Sequence, residues 1–381
     1  MLALDQISYS CALRAKRGEL AAMAMLRDDV AARMLPRLII APEKEKNKAQ
    51  LSLLSDLGCL NLVPDLHHAW RSKPVIVDPT YVLDQFGRDR MADWFTPAII
   101  DAVQAGSPAI PCIRLVDFED EVVFGFRSSC EAAGGYFGIT LTLSEAADPS
   151  VLERLASKLG VNGFDLGKGI IFGDFVKEDF KNPEFVSPVI EGAFETILES
   201  APWLKVIFQA SSYPEANPAS ENSAVVIGRG EWFAFRDVAD SRPDLIGRKV
   251  LFGDYGADSG RIDFNAKSRR AYPHLRYNLG ESWMVARGSN KGDFAQSLRS
   301  IASHIVAHAE YSGPGFSDAD LRIQQIADGI AGPGNASDWR AINMCHHITK
   351  VVADFGSRFD YSVHSRAVSA NPTQVRLPHI P

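Results

Sequence analysis

Cysteine is scarce in this sequence, and its placement argues against a disulfide framework. The 381 residues include only five, Cys11, Cys59, Cys112, Cys130 and Cys345, and no two of them form a C-x-x-C pair. An odd, scattered set is typical of reduced thiols in a core rather than of disulfides or a zinc knuckle. We therefore expect a reducing compartment and a cytoplasmic protein.

Long apolar runs and excess positive charge are also missing. No run of about 18 apolar residues occurs, so we expect no membrane-spanning helix. The N-terminus has an early acid and lacks the apolar segment of a signal peptide. The formal net charge of −7 provides no general attraction to nucleic acid, although a local basic groove remains compatible with it.

Several motifs that would specify a chemistry are absent. The chain contains neither G-x-G-x-x-G nor G-x-x-x-x-G-K-[ST], the loops that bind dinucleotides and nucleoside triphosphates. His304 and His308 have the spacing of one helix face, but the glutamate of H-E-x-x-H is missing, so packing or surface histidines are expected. His346 and His347 are adjacent, which predicts that at most one of them enters a site. Ser211 lies outside a G-x-S-x-G elbow.

What the sequence does contain is a regular alternation of short apolar runs and longer amphipathic segments. About eight such runs over about 250 residues match the repeat count of a (β/α)8 TIM-like barrel, which we predict. The alternative is a doubly wound open α/β sheet, which usually has fewer strands and often a Gly-rich loop after the first. The runs are YSCALRAK, PRLIIAPE, PVIVDPTYV, AIPCIRLVD, YFGITLTLS, a strand within NGFDLGKGIIFGDF, WLKVIFQASS and KVLFGDYG.

The character of the sequence changes after residue 256. Residues 271–289 read as two extended runs around Asn278-Leu279-Gly280, which predicts a hairpin, and helical segments follow. We predict a barrel-like domain over 1–258 and a hairpin plus helical extension, packed on the barrel, over 259–365. Residues 366–381 have little to fold around and are predicted to form a flexible tail.

Polar residues stand at or just after most of the apolar runs. In a barrel these positions meet at one mouth, where sites are built. The carboxylates are predicted to act as acid or base, or to bind a divalent cation such as Mg²⁺ or Mn²⁺, and the cationic and polar groups to hold an anionic ligand. The alternative is a salt-bridge network without chemistry, in which Asp254 pairs with Arg114. The candidate catalytic residues are Asp78, Asp165 and Asp254; the candidate ligand-binding residues are Lys16, Arg114, Gln209, Ser211, Tyr255, Arg276 and Arg287; Glu43, Thr142 and Ser212 occupy similar positions.

The order of motifs resembles the beta protein family, named after a protein of T-even bacteriophages. The similarity is carried by KRGEL, VDPTYV, CIRLV, FDLG, QASSYP, GEWFAFRDV, FGDYG, LRYN....W.VARG, FS..D..I and WRAINMCHHIT. It implies one module over about nine-tenths of the chain and a phage–host setting near mobile or anti-phage defence genes. Thr142 departs from it, since a basic residue is expected there. The pattern points to Lys16, Gly18, Glu19, Asp78, Arg114, Asp165, Gly253, Asp254, Tyr255, Arg276, Tyr277, Trp283, Arg287, Trp339, Arg340, His346 and His347.

Two functions follow from these features. The first is a hydrolase or transferase acting on an anionic, phosphate-bearing small molecule, a nucleotide or a nucleic acid. The second is a non-catalytic sensor that binds such a ligand and signals to a separate effector protein. The same cationic pocket serves both functions, and neither requires a membrane.

Overall fold

Eight parallel strands close into a barrel in the computed structural model. The structure describes residues 4–42, 60, 62–246, 249–264, 272–289, 291–356, 360–365 and 377–378. The barrel strands are β1 (Tyr9–Arg14), β2 (Met34–Ile39), β3 (Val75–Asp78), β4 (Ala109–Arg114), β5 (Phe137–Leu141), β6 (Gly169–Asp174), β7 (Lys205–Ala210) and β9 (Val250–Asp254). Their closed order is β1-β2-β3-β4-β5-β6-β7-β9, which confirms the predicted barrel and excludes the open sheet.

Helices follow the strands and cover the outside of the barrel. Residues of the barrel strands are almost all buried, as expected for parallel strands with helices packed on them. The helices up to β9 are α1 (Arg17–Met25), α2 (Asp28–Ala31), α3 (Val63–Ala69), α4 (Leu83–Phe86), α5 (Met91–Gln104), α6 (Asp120–Ala132), α7 (Leu143–Ala146), α8 (Pro149–Val161), α9 (Pro183–Ser200) and α10 (Gly230–Ser241). Among the described residues no helix is long and apolar enough to cross a bilayer.

The predicted hairpin is present, and it belongs to a three-stranded sheet. β10 (His274–Asn278) pairs antiparallel with β11 (Ser282–Arg287). β11 also pairs with β8 (Ser223–Gly228), a strand that the sequence analysis did not predict. The alternating half-buried and exposed residues of β8 match a strand with one solvated face.

Three helices complete the C-terminal part: α11 (Phe294–Val306), α12 (Asp318–Ala327) and α13 (Ala336–Gly356). α13 packs against both α1 and β10, so this part of the chain covers the barrel. The predicted boundary at residue 258 falls in the segment between β9 and β10. The predicted flexible tail lies outside the described residues, apart from residues 377 and 378, as does Glu43.

The interior of the barrel is a separate apolar core, closed above by charged residues. One side chain from each of six strands forms its middle: Leu35, Ile76, Ile110, Phe172, Ile207 and Leu251. The side chains at alternate positions face the helices and belong to the main core. This alternation decides which strand-end residues enter the barrel mouth.

Two helical glycines offer a matched test of helix packing. A Cβ on Gly125 of α6 would lie 2.6 Å from the Ala92 nitrogen and 2.7 Å from the Met91 Cβ on α5. Gly125→Ala is therefore expected to lower the free energy of unfolding by about 1–3 kcal/mol through overpacking. Gly160→Ala on α8 meets nothing within 4 Å and is expected to raise that free energy by up to about 1 kcal/mol. Urea unfolding of both variants checks this, and equal effects would contradict it.

Candidate functional site

A buried ion-pair network closes the top of the barrel interior. Arg37, on β2, stacks over Phe172 in the barrel core with its guanidinium 5.4 Å from the ring centroid. Its Nε and Nη2 donate to Asp78 Oδ2 at 2.9 and 2.6 Å, and its Nη1 lies 3.4 Å from Asp174 Oδ2. The Tyr255 hydroxyl donates to the same Asp174 oxygen at 2.5 Å. Burial and the neighbouring Asp174 raise the pKa of Tyr255 well above its usual value, so the phenol remains a donor.

The barrel mouth above this network is covered by the chain itself. Ile262 and Phe264, on the segment after β9, pack with Tyr255 against Ala12 and Ile39. Asp78 is only 1% exposed, so a ligand does not reach it while this segment is in place. Asp78 therefore lies at the predicted position, but the structure gives it an ion-pairing role.

Asp254 points away from the mouth. Because β9 alternates, Tyr255 faces the barrel interior and Asp254 faces the covering layer. Its carboxylate accepts hydrogen bonds from the Tyr9 hydroxyl, from the Gly256 nitrogen at 2.8 Å and from His347 Nε2 at 2.7 Å. Arg229 Nη2 lies 3.6 Å away. Burial would raise the pKa of Asp254, but His347 and Arg229 outweigh it and hold the pKa below its usual range.

Arg114 is not the partner of Asp254. Its Nε donates to Asp117 Oδ2 at 2.6 Å, and its side chain is 41% exposed at the end of β4. The interpretation of Asp254 as the salt-bridge partner of Arg114 is therefore wrong, and Arg229 takes that place. Arg229 is fully buried, donates to Glu231 at 3.1 Å and to the Gly280 carbonyl at 2.9 Å, and links α10 to the hairpin.

Both histidines of the WRAINMCHHIT motif are buried. The Gly280 nitrogen donates to the side-chain oxygen of Asn278, which identifies the other side-chain atom of Asn278 as the amide nitrogen. That nitrogen donates to His347 Nδ1 at 2.9 Å. With Nε2 donating to Asp254, the His347 ring is neutral. Burial lowers the pKa of His347 despite the nearby Asp254.

His346 links α13 to α12 and β10. Its Nδ1 lies 3.0 Å from Asp320 Oδ2, and its Nε2 lies 2.9 Å from the Asn278 carbonyl oxygen. Asp320 also accepts from the Tyr277 hydroxyl at 2.7 Å. Both ring nitrogens of His346 therefore lie within hydrogen-bonding distance of an oxygen atom. The two histidines join α13 to β9, β10 and α12.

A second charged cluster lies at the same end of the barrel, nearer the surface. The Asp258 carboxylate lies 2.7 Å from Arg14 Nη2, 2.6 Å from Arg340 Nη1 and 3.3 Å from Arg276 Nη1. Glu19 adds a second carboxylate, 2.8 Å from Arg14. Burial would raise the pKa of Asp258, but the three arginines outweigh it and hold the pKa far below its usual range. We call Arg14, Arg276, Arg340, Glu19 and Asp258 the arginine cluster.

An open groove of about 1070 Å³ lies beside this cluster. It is bounded by the segments after β6, β7 and β9, at the carboxyl ends of the barrel strands. Aromatic and hydroxyl groups line it together with three cations and three acids: Tyr81, Phe180, Tyr213, Phe233, Ser211, Ser212, Lys177, Lys181, Arg261, Glu178, Asp179 and Glu215.

Of the predicted binding residues, Ser211 and Arg276 come together beside the groove. Ser211 Oγ donates to the Asp258 carbonyl at 2.6 Å, and the Arg276 guanidinium stacks 4.4 Å from the centroid of Tyr213. Gln209 is fully buried, and its Nε2 donates to the Asp254 carbonyl at 2.5 Å. Lys16 Nζ lies 4.6 Å from the centroid of Phe264, over the covered mouth.

Three strand-end residues lie elsewhere or have local roles. Asp165 precedes β6 and caps the short turn before it by accepting from the Gly167 nitrogen at 3.0 Å, so its predicted place at the carboxyl end is wrong. The acidic residue at the carboxyl end of β6 is Asp174. Arg287 contacts Tyr272 and the Ala219 carbonyl at the three-stranded sheet. Thr142 caps α7 in a capping box with Glu145.

Sequence reasoning missed the partners of the predicted residues. Arg37 stands inside PRLIIAPE, where an arginine flanked by apolar residues signals a buried ion pair. Asp174, in GIIFGDF, repeats the pattern of Asp254. Asp258 and Glu231 carried no comparable signal. Among the described residues no group of three or more His, Cys, Asp or Glu is arranged to hold a metal ion, and the divalent cation stays a prediction.

A closed parallel eight-stranded barrel, with a groove at the carboxyl ends of its strands, defines a TIM-barrel protein. The family model described as Beta protein matches residues 9–353, and the chain belongs to this family. A comparison with curated proteins returned no match.

The similarity of the chain to solved structures is distant. The carboxyl transferase domain of Rhizobium etli pyruvate carboxylase has a TM-score of 0.38 and 10% identity, covering 89% of this chain and 48% of that one. A putative deoxyribose-phosphate aldolase from Toxoplasma gondii ME49 has a TM-score of 0.33 and 10% identity, covering 65% of this chain and 86% of that one. The chain thus spans about half the length of the first. Similarity this distant carries no argument about activity.

Proposed function

We propose that the protein is a ligand-binding barrel whose groove holds an anionic, phosphate-bearing molecule of the nucleotide class. The observation that carries the proposal is the open groove of about 1070 Å³ at the carboxyl ends of the strands. Ligands of TIM barrels bind at this end. Tyr81 and Phe233, both partly exposed in the groove, suit the flat face of a base.

The positions of the three candidate catalytic carboxylates favour ligand binding over catalysis. Asp78 is ion-paired beneath the covered mouth, Asp254 faces the helical layer, and Asp165 lies at the opposite end of the barrel. None of the three lines the groove. A sensor that signals ligand binding to a separate effector protein needs no such group, and the family's phage–host setting suits that role.

One contact favours a hydrolase or transferase as a second candidate function. Ser212 lines the groove, and its hydroxyl donates to the buried Glu231 carboxylate. In such a reaction Ser212 Oγ would bond to the phosphorus as the leaving-group bond breaks, and Glu231 would take the hydroxyl proton. Arg229 beside Glu231 opposes this, because it stabilises the unprotonated carboxylate.

A calorimetric titration with nucleoside mono-, di- and triphosphates and short oligonucleotides tests the proposal. At least one nucleotide is expected to bind the wild type, and Lys177→Ala with Arg261→Ala is expected to weaken it about tenfold or more, since both cations line the groove. Arg127→Ala, on the exposed face of α6, is the matched control and should bind normally. No binding across the panel would contradict the proposal. Turnover of a bound nucleotide that Ser212→Ala abolishes would establish the second function instead.

A further inference from the structure

We propose that the arginine cluster is the phosphate subsite of the groove's ligand, and that the Asp258 carboxylate occupies it in the ligand-free protein. The inference rests on the proposed function for the identity of the ligand. Its geometry is independent of that function, since three guanidinium groups already converge on one carboxylate: Arg14, Arg276 and Arg340.

The charges of the cluster suit a phosphate better than a carboxylate. With Glu19 counted against the three arginines, two positive charges remain for whatever sits between them. Asp258 supplies one negative charge, whereas a phosphate group carries about 1.5 to 2 near pH 7. Guanidinium forks bind phosphate oxygens in pairs, so three of them form a receptor for that group.

The cluster also has unused hydrogen-bonding capacity beside the groove. The buried Nε of Arg276 and the buried hydroxyl of Tyr213 have no hydrogen-bond partner within the described part of the chain. Tyr213 lines the groove, and its ring lies under the Arg276 guanidinium. These two donors therefore lie where the groove meets the cluster.

One short segment separates the groove from the cluster. Gly260, Arg261 and Ile262 line both the groove and a small cavity of about 10 Å³, which Arg14, Glu19 and Asp258 also line. The Asp258 backbone is held by the hydrogen bond from Ser211 to its carbonyl. Rotation of the Asp258 side chain alone would therefore remove its carboxylate from the three guanidinium groups and leave that backbone contact in place. Arg14 would keep Glu19 as a partner, and Arg276 would keep the Ala257 carbonyl.

Asp258→Asn tests the proposal, with inorganic phosphate as the probe. The variant keeps the side-chain shape but removes the competing charge, so phosphate at constant ionic strength is expected to bind at least about tenfold more tightly than to the wild type. Its melting temperature should fall in phosphate-free buffer, because like charges face each other, and should rise again with phosphate. Asp263→Asn, at an exposed position on the same segment, should match the wild type in both measurements.

Each outcome separates this inference from the proposed function. Phosphate affinity of Asp258→Asn no higher than that of the wild type overturns the subsite. Tighter phosphate binding with no nucleotide binding by the wild type would leave the subsite standing and reject the proposed function. A nucleotide whose binding requires Lys177 and Arg261, but which binds the wild type and Asp258→Asn equally, would support the proposed function and overturn the subsite.

A second variant keeps the test decisive if Asp258→Asn does not fold. Arg340→Gln leaves Arg14 and Arg276 on Asp258 and removes the guanidinium of a side chain that is 28% exposed. Titration of phosphate into the wild type, followed through the arginine Nε–H resonances, is expected to shift the Arg276 signal saturably. Arg340→Gln should weaken that binding about tenfold. No saturable shift in the wild type, together with no change in Arg340→Gln, would overturn the subsite.

Discussion

Asp254→Asn is expected to lower the free energy of unfolding by about 3–5 kcal/mol, because it breaks a buried network from its centre. The carboxylate accepts from Tyr9, Gly256 and His347 and lies 3.6 Å from the fully buried Arg229. Asparagine keeps the shape but removes the negative charge that Arg229 faces. An amide also has only one acceptor oxygen for these donors. Urea unfolding at pH 7.5 measures the loss.

The matched control is Asp165→Asn, a carboxylate-to-amide change at an exposed position outside the network. It is expected to change stability by no more than about 0.5 kcal/mol. Both variants should bind the groove ligand with wild-type affinity, since neither residue lines the groove. An Asp254→Asn protein of wild-type stability with no ligand affinity would place Asp254 in the binding site and contradict the structural role.

The barrel could be predicted because its signal is local. Each strand is a short apolar run followed by a helix, and both periods are visible in the sequence. β8 was missed because it has one solvated face and pairs only with the distant hairpin, so its apolar pattern is weak. Its partner in the sheet is about 60 residues away, a distance that no local pattern spans.

The site was predicted less well, because it depends on which way each side chain faces and on partners far along the chain. Asp78 and Asp254 both lie at strand ends, as predicted. Because side chains alternate along each strand, Asp78 faces the barrel interior and Asp254 faces the covering helices. Asp165 was assigned to the wrong end because FDLG precedes the apolar run that forms β6. Asp258 pairs with arginines on β1, β10 and α13, and the sequence holds no local sign of that convergence.

Acidification from pH 6.5 towards 5 is expected to destabilise the protein through His347. Burial lowers the pKa of His347, against the pull of Asp254, below its ordinary value of 6.5. Below pH 6.5 the unfolded chain therefore binds a proton that the folded chain does not. The free energy of unfolding then falls as the pH falls, by up to about 1.4 kcal/mol per pH unit for each such histidine.

Other titratable groups also contribute to the pH dependence of stability, and their contributions can be separated. Burial and the neighbouring Arg276 lower the pKa of His274 to about 4, so His274 contributes a second slope of the same sign. The pKa of Asp254 is also lowered, and its contribution is lost only as the pH falls below the ordinary aspartate value of 3.8.

Single substitutions show which histidine causes the change of the unfolding free energy with pH. His347→Asn should lower stability at pH 7.5, because Asp254 loses a donor, and should remove one histidine's share of the slope between pH 6.5 and 5. His274→Asn should remove the other share. His304→Gln, at an exposed position of α11, should leave the slope unchanged. A wild-type slope that persists in His347→Asn would show that the buried ring takes up a proton in the folded state. The neutral state of His347, inferred from its hydrogen bonds with Asn278 and Asp254, would then be wrong.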